Sequence, residues 1–117
     1  MSPTEPSEIK IKELISLFDK KNFDELLKIS NVLLDEFPKS ILIQNIQGVV
    51  HTELKSYELA KNIFIKVVNL SPNYTDGHYN LANVYNKLDE KEKAIESYNR
   101  VIELDINYFK AHNNLGN

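Results

Sequence analysis

The chain has 117 residues, of which 42% are hydrophobic and 26% charged, and its formal net charge is -3. It contains no cysteine, which excludes disulfides and thiolate metal sites. Its cationic residues are lysines apart from Arg100, so the sequence lacks the basic, arginine-bearing surface typical of nucleic-acid binding. No window approaches the run of about 20 apolar residues that spans a bilayer, and no apolar signal segment precedes the first helix. We therefore expect a cytoplasmic protein with neither a membrane nor a nucleic-acid partner.

Apolar residues recur at helical spacing from residue 7 onward, which predicts helices throughout the chain. In chain order, the predicted helices span residues 7–20, 23–36, 41–54, 57–70, 75–88, 91–104 and 109 onward. Asn22 with Glu25 fits a capping box, and Ser40 and Ser56 are favourable N-cap residues. Pro38 and Pro72 follow the ends of the second and fourth helices and stop them.

The sequence also repeats itself with a period of 34 residues. A shift of that length superimposes identical or similar side chains: Ala60 on Ala94, Phe64 on Tyr98, Val67 on Val101, and Pro38 on Pro72. No gap is needed, so the phase holds for three periods and part of a fourth. A fixed period of this length indicates an array of similar units, here two antiparallel helices per period.

This period divides the chain into a short lead and four units. We expect residues 1–6 to be a disordered lead, followed by repeats at 7–40, 41–74 and 75–108 and a partial repeat at 109–117. The partial repeat has no second helix to cover its apolar side chains. The sequence therefore predicts an N-terminal piece of a longer protein, and self-association of this piece through its uncovered end would support that prediction.

The third period carries the clearest motif, formed by Leu81, Ala82, Tyr85, Ala94 and Tyr98. At these positions the chain resembles the tetratricopeptide repeat family, whose first helix has a Leu, a small residue and a Tyr, and whose second has Ala and an aromatic residue. The second repeat departs from the pattern with Gln47 and His51. The resemblance covers residues 7–117 and implies an all-α fold, a right-handed superhelix of antiparallel helix pairs with about three and a half repeats.

Nothing in the sequence groups the side chains that catalysis or metal binding needs. His78 and His112 occupy the same repeat position, so they should lie about 10 Å apart, and no carboxylate accompanies either at i+3 or i+4. The three glycines are isolated from one another, which excludes a glycine-rich phosphate loop. We therefore expect no enzyme activity, no metal and no cofactor, and a function that depends on surface recognition.

The resemblance implies a binding groove on the concave face, which the first helix of each repeat lines. Asn80 and Asn83, with Asn114 and Asn117 one period later, would form a ladder that Asn45 extends, beside Tyr79, Asn86 and Lys87. An Asn amide both donates and accepts hydrogen bonds, which suits an extended peptide backbone. Similar ladders hold peptide backbone in the repeats of O-linked N-acetylglucosamine transferases. The alternative is compositional, because the chain is rich in Asn throughout.

Upstream, the same face becomes apolar, at Ile11, Ile15, Phe18, Ile46 and Val49. These residues form either an apolar docking strip or dimer patch, or a face that the divergent first repeat turns inward. The subclass of the family that clamps C-terminal carboxylates would need Lys or Arg at groove positions that are here Ile11, Ile15, Ile46, Asp76 and Asn80. The sequence therefore disfavours a carboxylate clamp.

The function predicted from these features is that of a protein-interaction module that binds an extended peptide or partner protein in its concave groove. One alternative is an N-terminal substrate-docking or regulatory domain of a larger enzyme, resembling a glycosyltransferase or sulfotransferase. Another is a homo-oligomerisation scaffold that uses the apolar face or the uncovered end.

Overall fold

Six α-helices make up most of the computed structural model, which describes residues 3–108. They are α1 (Glu8–Asp19), α2 (Phe23–Glu36), α3 (Ile41–Glu53), α4 (Tyr57–Leu70), α5 (Thr75–Lys87) and α6 (Lys91–Leu104). The predicted bounds of α2, α4 and α6 are confirmed, and those of the other three differ by one residue at an end. The seventh predicted helix lies outside the described residues.

The helices form three hairpins that stack side by side. α1 packs on α2, α3 on α4, and α5 on α6, while α2 contacts α3 and α4 contacts α5 across the junctions. The first helices are also neighbours, because α1 contacts α3 and α3 contacts α5. α1, α3 and α5 therefore line one common face, and the predicted all-α solenoid is confirmed. None of the six helices is long and apolar enough to cross a membrane.

The turn inside each hairpin has the same backbone geometry in all three repeats. Lys21, Lys55 and Asp89 lie 34 residues apart and have left-handed φ values of 58°, 64° and 61°. The next residue in each turn donates its backbone N–H to the carbonyl five residues before it: Asn22 to Leu17, Ser56 to His51, and Glu90 to Tyr85, at 2.9, 2.8 and 2.8 Å. This is the Schellman arrangement that ends an α-helix, and it reverses the chain after every first helix.

That geometry corrects two of the predicted caps. The side chains of Asn22 and Ser56 make no capping hydrogen bond to α2 or α4, because their backbones close the preceding helix with ψ values of 68° and 66°. Ser40 does cap α3, since its hydroxyl oxygen accepts from the Ile43 N–H at 3.0 Å.

Glu5, in the predicted disordered lead, contacts the same end of α3. Its carboxylate accepts the N–H of Ile41 at 2.9 Å and the hydroxyl of Ser40. A carboxylate at this position also interacts favourably with the helix dipole. The lead is thereby joined to the second repeat.

The core runs along the stack as three clusters of buried side chains, which join α1 to α2 and α3, then α4 to α5, and then α5 to α6. The first contains Leu14, Leu26, Leu33, Ile43 and Val50, all nearly or fully buried. Ala60, Phe64, Leu81 and Val84 follow, and then Ala82, Ala94, Tyr98 and Val101. α3 and α4 approach each other closely at Gly48, where a Cβ would lie 2.5 Å from the Phe64 ring. Only glycine fits that contact.

Candidate functional site

An apolar pocket opens on the face shared by the first helices. Ile15 and Phe18 of α1 and Asn45, Ile46 and Val49 of α3 line it, and its volume is about 140 Å³. Residues three or four apart share one face of a helix, so each helix turns its own part of this set toward the gap between them. The structure thus brings together four of the five residues of the predicted apolar strip.

Ile11, the fifth residue of the strip, does not line this pocket. It is half-buried and packs on the cluster that contains Leu14 and Ile43. Phe18 and Ile46 pack on the same cluster and also line the pocket, whereas Ile15 is 47% exposed.

The mouth of the pocket carries an asparagine pair that joins α3 to α5. Asn80 Nδ2 donates to Asn45 Oδ1 at 3.0 Å. One hydrogen bond uses one donor and one acceptor, and an Asn side chain offers two donors and an acceptor oxygen. The hydrogen bond holds the two side chains in place, and their other amide donors and acceptors can still bond to a ligand.

Asn83 lies one turn further along α5 and has a different environment. Its side-chain oxygen accepts the hydroxyl of Tyr98, which is buried on α6. Tyr79, also expected in the groove, is half-buried between two rings, with centroid distances of 6.1 Å to Tyr98 and 5.2 Å to Tyr108. Both side chains of α5 therefore contact the second half of the third repeat.

The remaining predicted groove residues lie towards the C-terminal side. Asn86 and Lys87 are exposed at the end of α5. Asn114 and Asn117 lie outside the described residues. The part of the predicted ladder that the structure describes is therefore Asn45, Asn80 and Asn83, of which Asn45 and Asn80 are directly bonded.

Asp76 places a negative charge at the start of α5, one turn before Asn80. Its carboxylate accepts the Tyr108 hydroxyl at 3.1 Å. Burial raises the pKa of the Tyr108 phenol, and the charge of Asp76 raises it further. The pKa of Tyr74 is also raised, by burial first and then by the charges of Asp76 and Glu5. Asp76 is therefore the charged group that acts on both phenols.

A second cavity, of about 350 Å³, lies away from the predicted groove between α4, α5 and α6. Val68, Leu81 and Tyr85 contribute to its walls, and His78, Lys93, Glu96, Ser97 and Arg100 add polar groups. The sequence gives no signal for this cavity, because its lining residues come from three helices and share no repeat position. Its cations already have partners, since Lys93 lies 3.5 Å from Glu90 and Arg100 lies 3.1 Å from Glu103.

Metal ligands do not converge in this part of the chain. Across residues 3–108, no group of three or more His, Cys, Asp or Glu side chains is placed to hold a metal ion. His78 Nε2 instead lies 2.7 Å from the carbonyl oxygen of Pro72, and His51 is partly buried beside the α3–α4 turn.

Sequence models of the tetratricopeptide repeat match two segments of the chain, residues 43–74 and 75–108. Together they cover more than half of its 117 residues. A search of curated protein sequences found no match.

Solved structures share the fold. One is the first tetratricopeptide repeat domain of Spaghetti (RPAP3) bound to the HSP90 peptide SRMEEVD, at 22% identity and a TM-score of 0.87, over 97% of this chain and 93% of that one. The first such domain of human RPAP3 matches at 23% identity and a TM-score of 0.86, over 92% of this chain and 84% of that one. An O-GlcNAc transferase mutant from Thermobaculum terrenum matches at 26% identity and a TM-score of 0.79, over 94% of this chain and 22% of that one. The chain belongs to the tetratricopeptide repeat family.

Proposed function

We propose that this chain is a non-catalytic interaction module that binds an extended segment of a partner protein along the face formed by α1, α3 and α5. The observation that carries the proposal is the Asn45–Asn80 hydrogen bond beside the apolar pocket. The two features supply different kinds of contact on one surface. The amides suit peptide backbone, and the pocket suits an apolar side chain.

The fold supports this proposal because a related domain holds a peptide. The first domain of Spaghetti was solved with the HSP90 peptide SRMEEVD, and its fold closely matches that of this chain. That peptide is acidic at its C-terminus, whereas none of the positions at which a carboxylate clamp would need cations is basic here, with Ile15, Ile46 and Asp76 among them. We therefore expect a peptide partner of a different chemistry.

A display selection from a random 12-residue peptide library, on the purified chain, tests the proposal. Enriched peptides are then synthesised and their affinities measured by fluorescence anisotropy. We expect Asn80→Ala to weaken binding about 5- to 10-fold, the effect of losing one or two hydrogen bonds. Asn99→Ala, on the exposed side of α6, is the matched control and should bind like the wild type. Failure to enrich any peptide, or equal binding by both variants, would contradict the proposal.

A second candidate is a substrate-docking domain of a larger enzyme. The match to an O-GlcNAc transferase favours it, because this chain corresponds to 22% of that protein. The mass of the protein recovered from its native cells distinguishes the two candidates. A docking role predicts a species several times larger than this chain, with glycosyltransferase activity. It also predicts that Asn80→Ala lowers this activity for protein substrates only.

A further inference from the structure

The apolar pocket has the size of a single side chain. Its volume of about 140 Å³ is close to the cavity of roughly 150 Å³ that holds a benzene-sized group in a protein interior. Five residues line it, whereas a stable dimer interface uses about 20–30 residues from each partner. The pocket therefore fits one aliphatic side chain better than it fits a second copy of the chain.

Charge is distributed unevenly along the face that contains this pocket. From the pocket, the surface passes through Asn45 and its partner Asn80 to Asp76, which lies one helical turn from Asn80 and is exposed. In the described part of the chain Asp76 forms no ion pair, and its one hydrogen bond comes from the neutral Tyr108 hydroxyl. Among the described lysines of α1, α3 and α5, Lys10 and Lys12 lie 3.5 and 3.3 Å from Glu13 and Glu8, and Lys87 is about 16 Å along α5 from Asp76.

An acidic peptide tail would meet this surface unfavourably. Its carboxylates would lie against Ile15 and Ile46, where no cation replaces the lost water, and near Asp76, which carries the same charge. A Lys or Arg side chain would meet the Asp76 carboxylate and the electron-rich faces of the neighbouring tyrosine rings.

We propose that the partner segment carries one aliphatic side chain, which enters the pocket of Ile15, Phe18, Ile46 and Val49, and a Lys or Arg that pairs with Asp76. This inference rests on the proposed function and specifies its ligand. The pocket lies between α1 and α3, and Asp76 lies on α5, about one and a half helix spacings away. Because neighbouring helices are about 8–10 Å apart and an extended peptide advances about 3.3 Å per residue, the two side chains are separated by about four or five residues.

The same display selection tests the aliphatic anchor. Enriched wild-type binders should share one Leu, Ile, Val or Met, and replacing it with Ala should weaken binding about 10- to 100-fold, the effect of burying such a side chain. Ile46→Lys should abolish the aliphatic preference. Ile95→Lys changes an aliphatic residue of α6 that is 50% exposed, close to the 47% of Ile15, and lies outside this face; it should leave the selected motif unchanged. Because Ile46 also packs on the core, Ile15→Lys, at a side chain 47% exposed, gives the same test should Ile46→Lys not fold.

Asp76→Asn tests the basic contact, because it removes the charge and keeps an oxygen for the Tyr108 hydroxyl. We expect it to weaken binding of the Lys- or Arg-containing peptides about 2- to 5-fold at low salt, and to flatten the salt dependence of binding. Asp89→Asn, in the turn after α5, is the matched control and should change neither.

The outcomes separate the inference from the function on which it rests. Enrichment of acidic peptides, or of peptides with no shared aliphatic residue, would overturn the inference, and the proposed function would stand if Asn80→Ala still weakened their binding. No enrichment at all would overturn both.

Discussion

At the scale of single residues, two departures from the repeat pattern are explained by what each side chain contacts. Gln47 replaces the expected Leu, and its amide donates to the Ser30 hydroxyl at 2.7 Å and to Asn31 Oδ1 at 2.8 Å. Ser30 stands one period before the buried ring of Phe64, so the first repeat has a small hydroxyl where the second has an aromatic ring. The smaller residue leaves room for the longer polar one. Because Ser30 also donates to the Leu27 carbonyl, the buried polar groups satisfy each other.

His51, which replaces the expected Tyr, makes stability depend on pH. Burial lowers its pKa from 6.5, because the partly buried ring loses hydration of its charged form. As pH falls through 6.5, the unfolded chain binds a proton at His51 before the folded chain does. The free energy of unfolding should therefore decrease between pH 7.5 and 5, and less steeply in His51→Gln. Urea unfolding of both proteins at the two pH values measures the difference, and parallel decreases would contradict the assignment to His51.

At the scale of elements, the hairpin turns show how the repeat is built. The three turns share a left-handed residue and the same backbone hydrogen bonds, although two of the left-handed residues are lysines and one is an aspartate. A lysine in this conformation has an unfavourable contact between its Cβ and the backbone, which glycine avoids. Repeat geometry, and not the preference of the local residue, thus decides the backbone conformation of these turns.

Lys55→Gly should stabilise the protein by about 0.5–1 kcal/mol, since the strain removed exceeds the entropy that glycine adds to the unfolded chain. Lys66→Gly, at an exposed position inside α4, is the comparison and should destabilise it by about 1 kcal/mol. Chemical denaturation gives both values. A loss of stability in Lys55→Gly as large as that in Lys66→Gly would show that position 55 is not left-handed in solution.

At the scale of the whole molecule, the stack is a chain of neighbouring contacts. Each hairpin packs on the next, and the main contacts between helices lie within one hairpin or between adjacent hairpins. In such proteins the free energy of unfolding is approximately the sum of the stability of each repeat and of the interfaces between neighbouring repeats. A local change can therefore unfold part of the array. The Glu5 contact with α3 adds a further link between the first and second repeats.

Ala94→Asp should unfold the third repeat and leave the first hairpin largely intact. Ala94 is 2% exposed among Ala82, Tyr98 and Val101, so the substitution buries a carboxylate without a partner. Hydrogen exchange should show loss of protection in α5 and α6 and retention in α1 to α3. Ile95→Asp, at the neighbouring half-exposed position, should change protection little. Equal loss across all six helices would mean that the stack folds as one unit.

Much of the fold was predictable because its signals are local. The 34-residue period, the helical spacing of apolar residues and the proline breaks determine six helices to within a residue, and the repeat phase places Asn45, Asn80 and the apolar strip on the first helices. Asn22 and Ser56 occupy the predicted N-cap positions, but the expected side-chain hydrogen bonds are absent, because both residues lie in a turn whose backbone closes the helix before it.

The repeat, the helices and their common face follow from the amino-acid sequence, whereas the side chains that meet on that face depend on how the helices pack. Ile11 packs inward while Ile15 lines a pocket, Asn80 bonds to Asn45 while Asn83 receives the Tyr98 hydroxyl, and Gln47 reaches Ser30 across a junction. Periodicity sets the direction of a side chain around its own helix. The distance to a side chain on another helix depends on how closely the helices approach and on the size of the residues between them, and these quantities are properties of the packed stack.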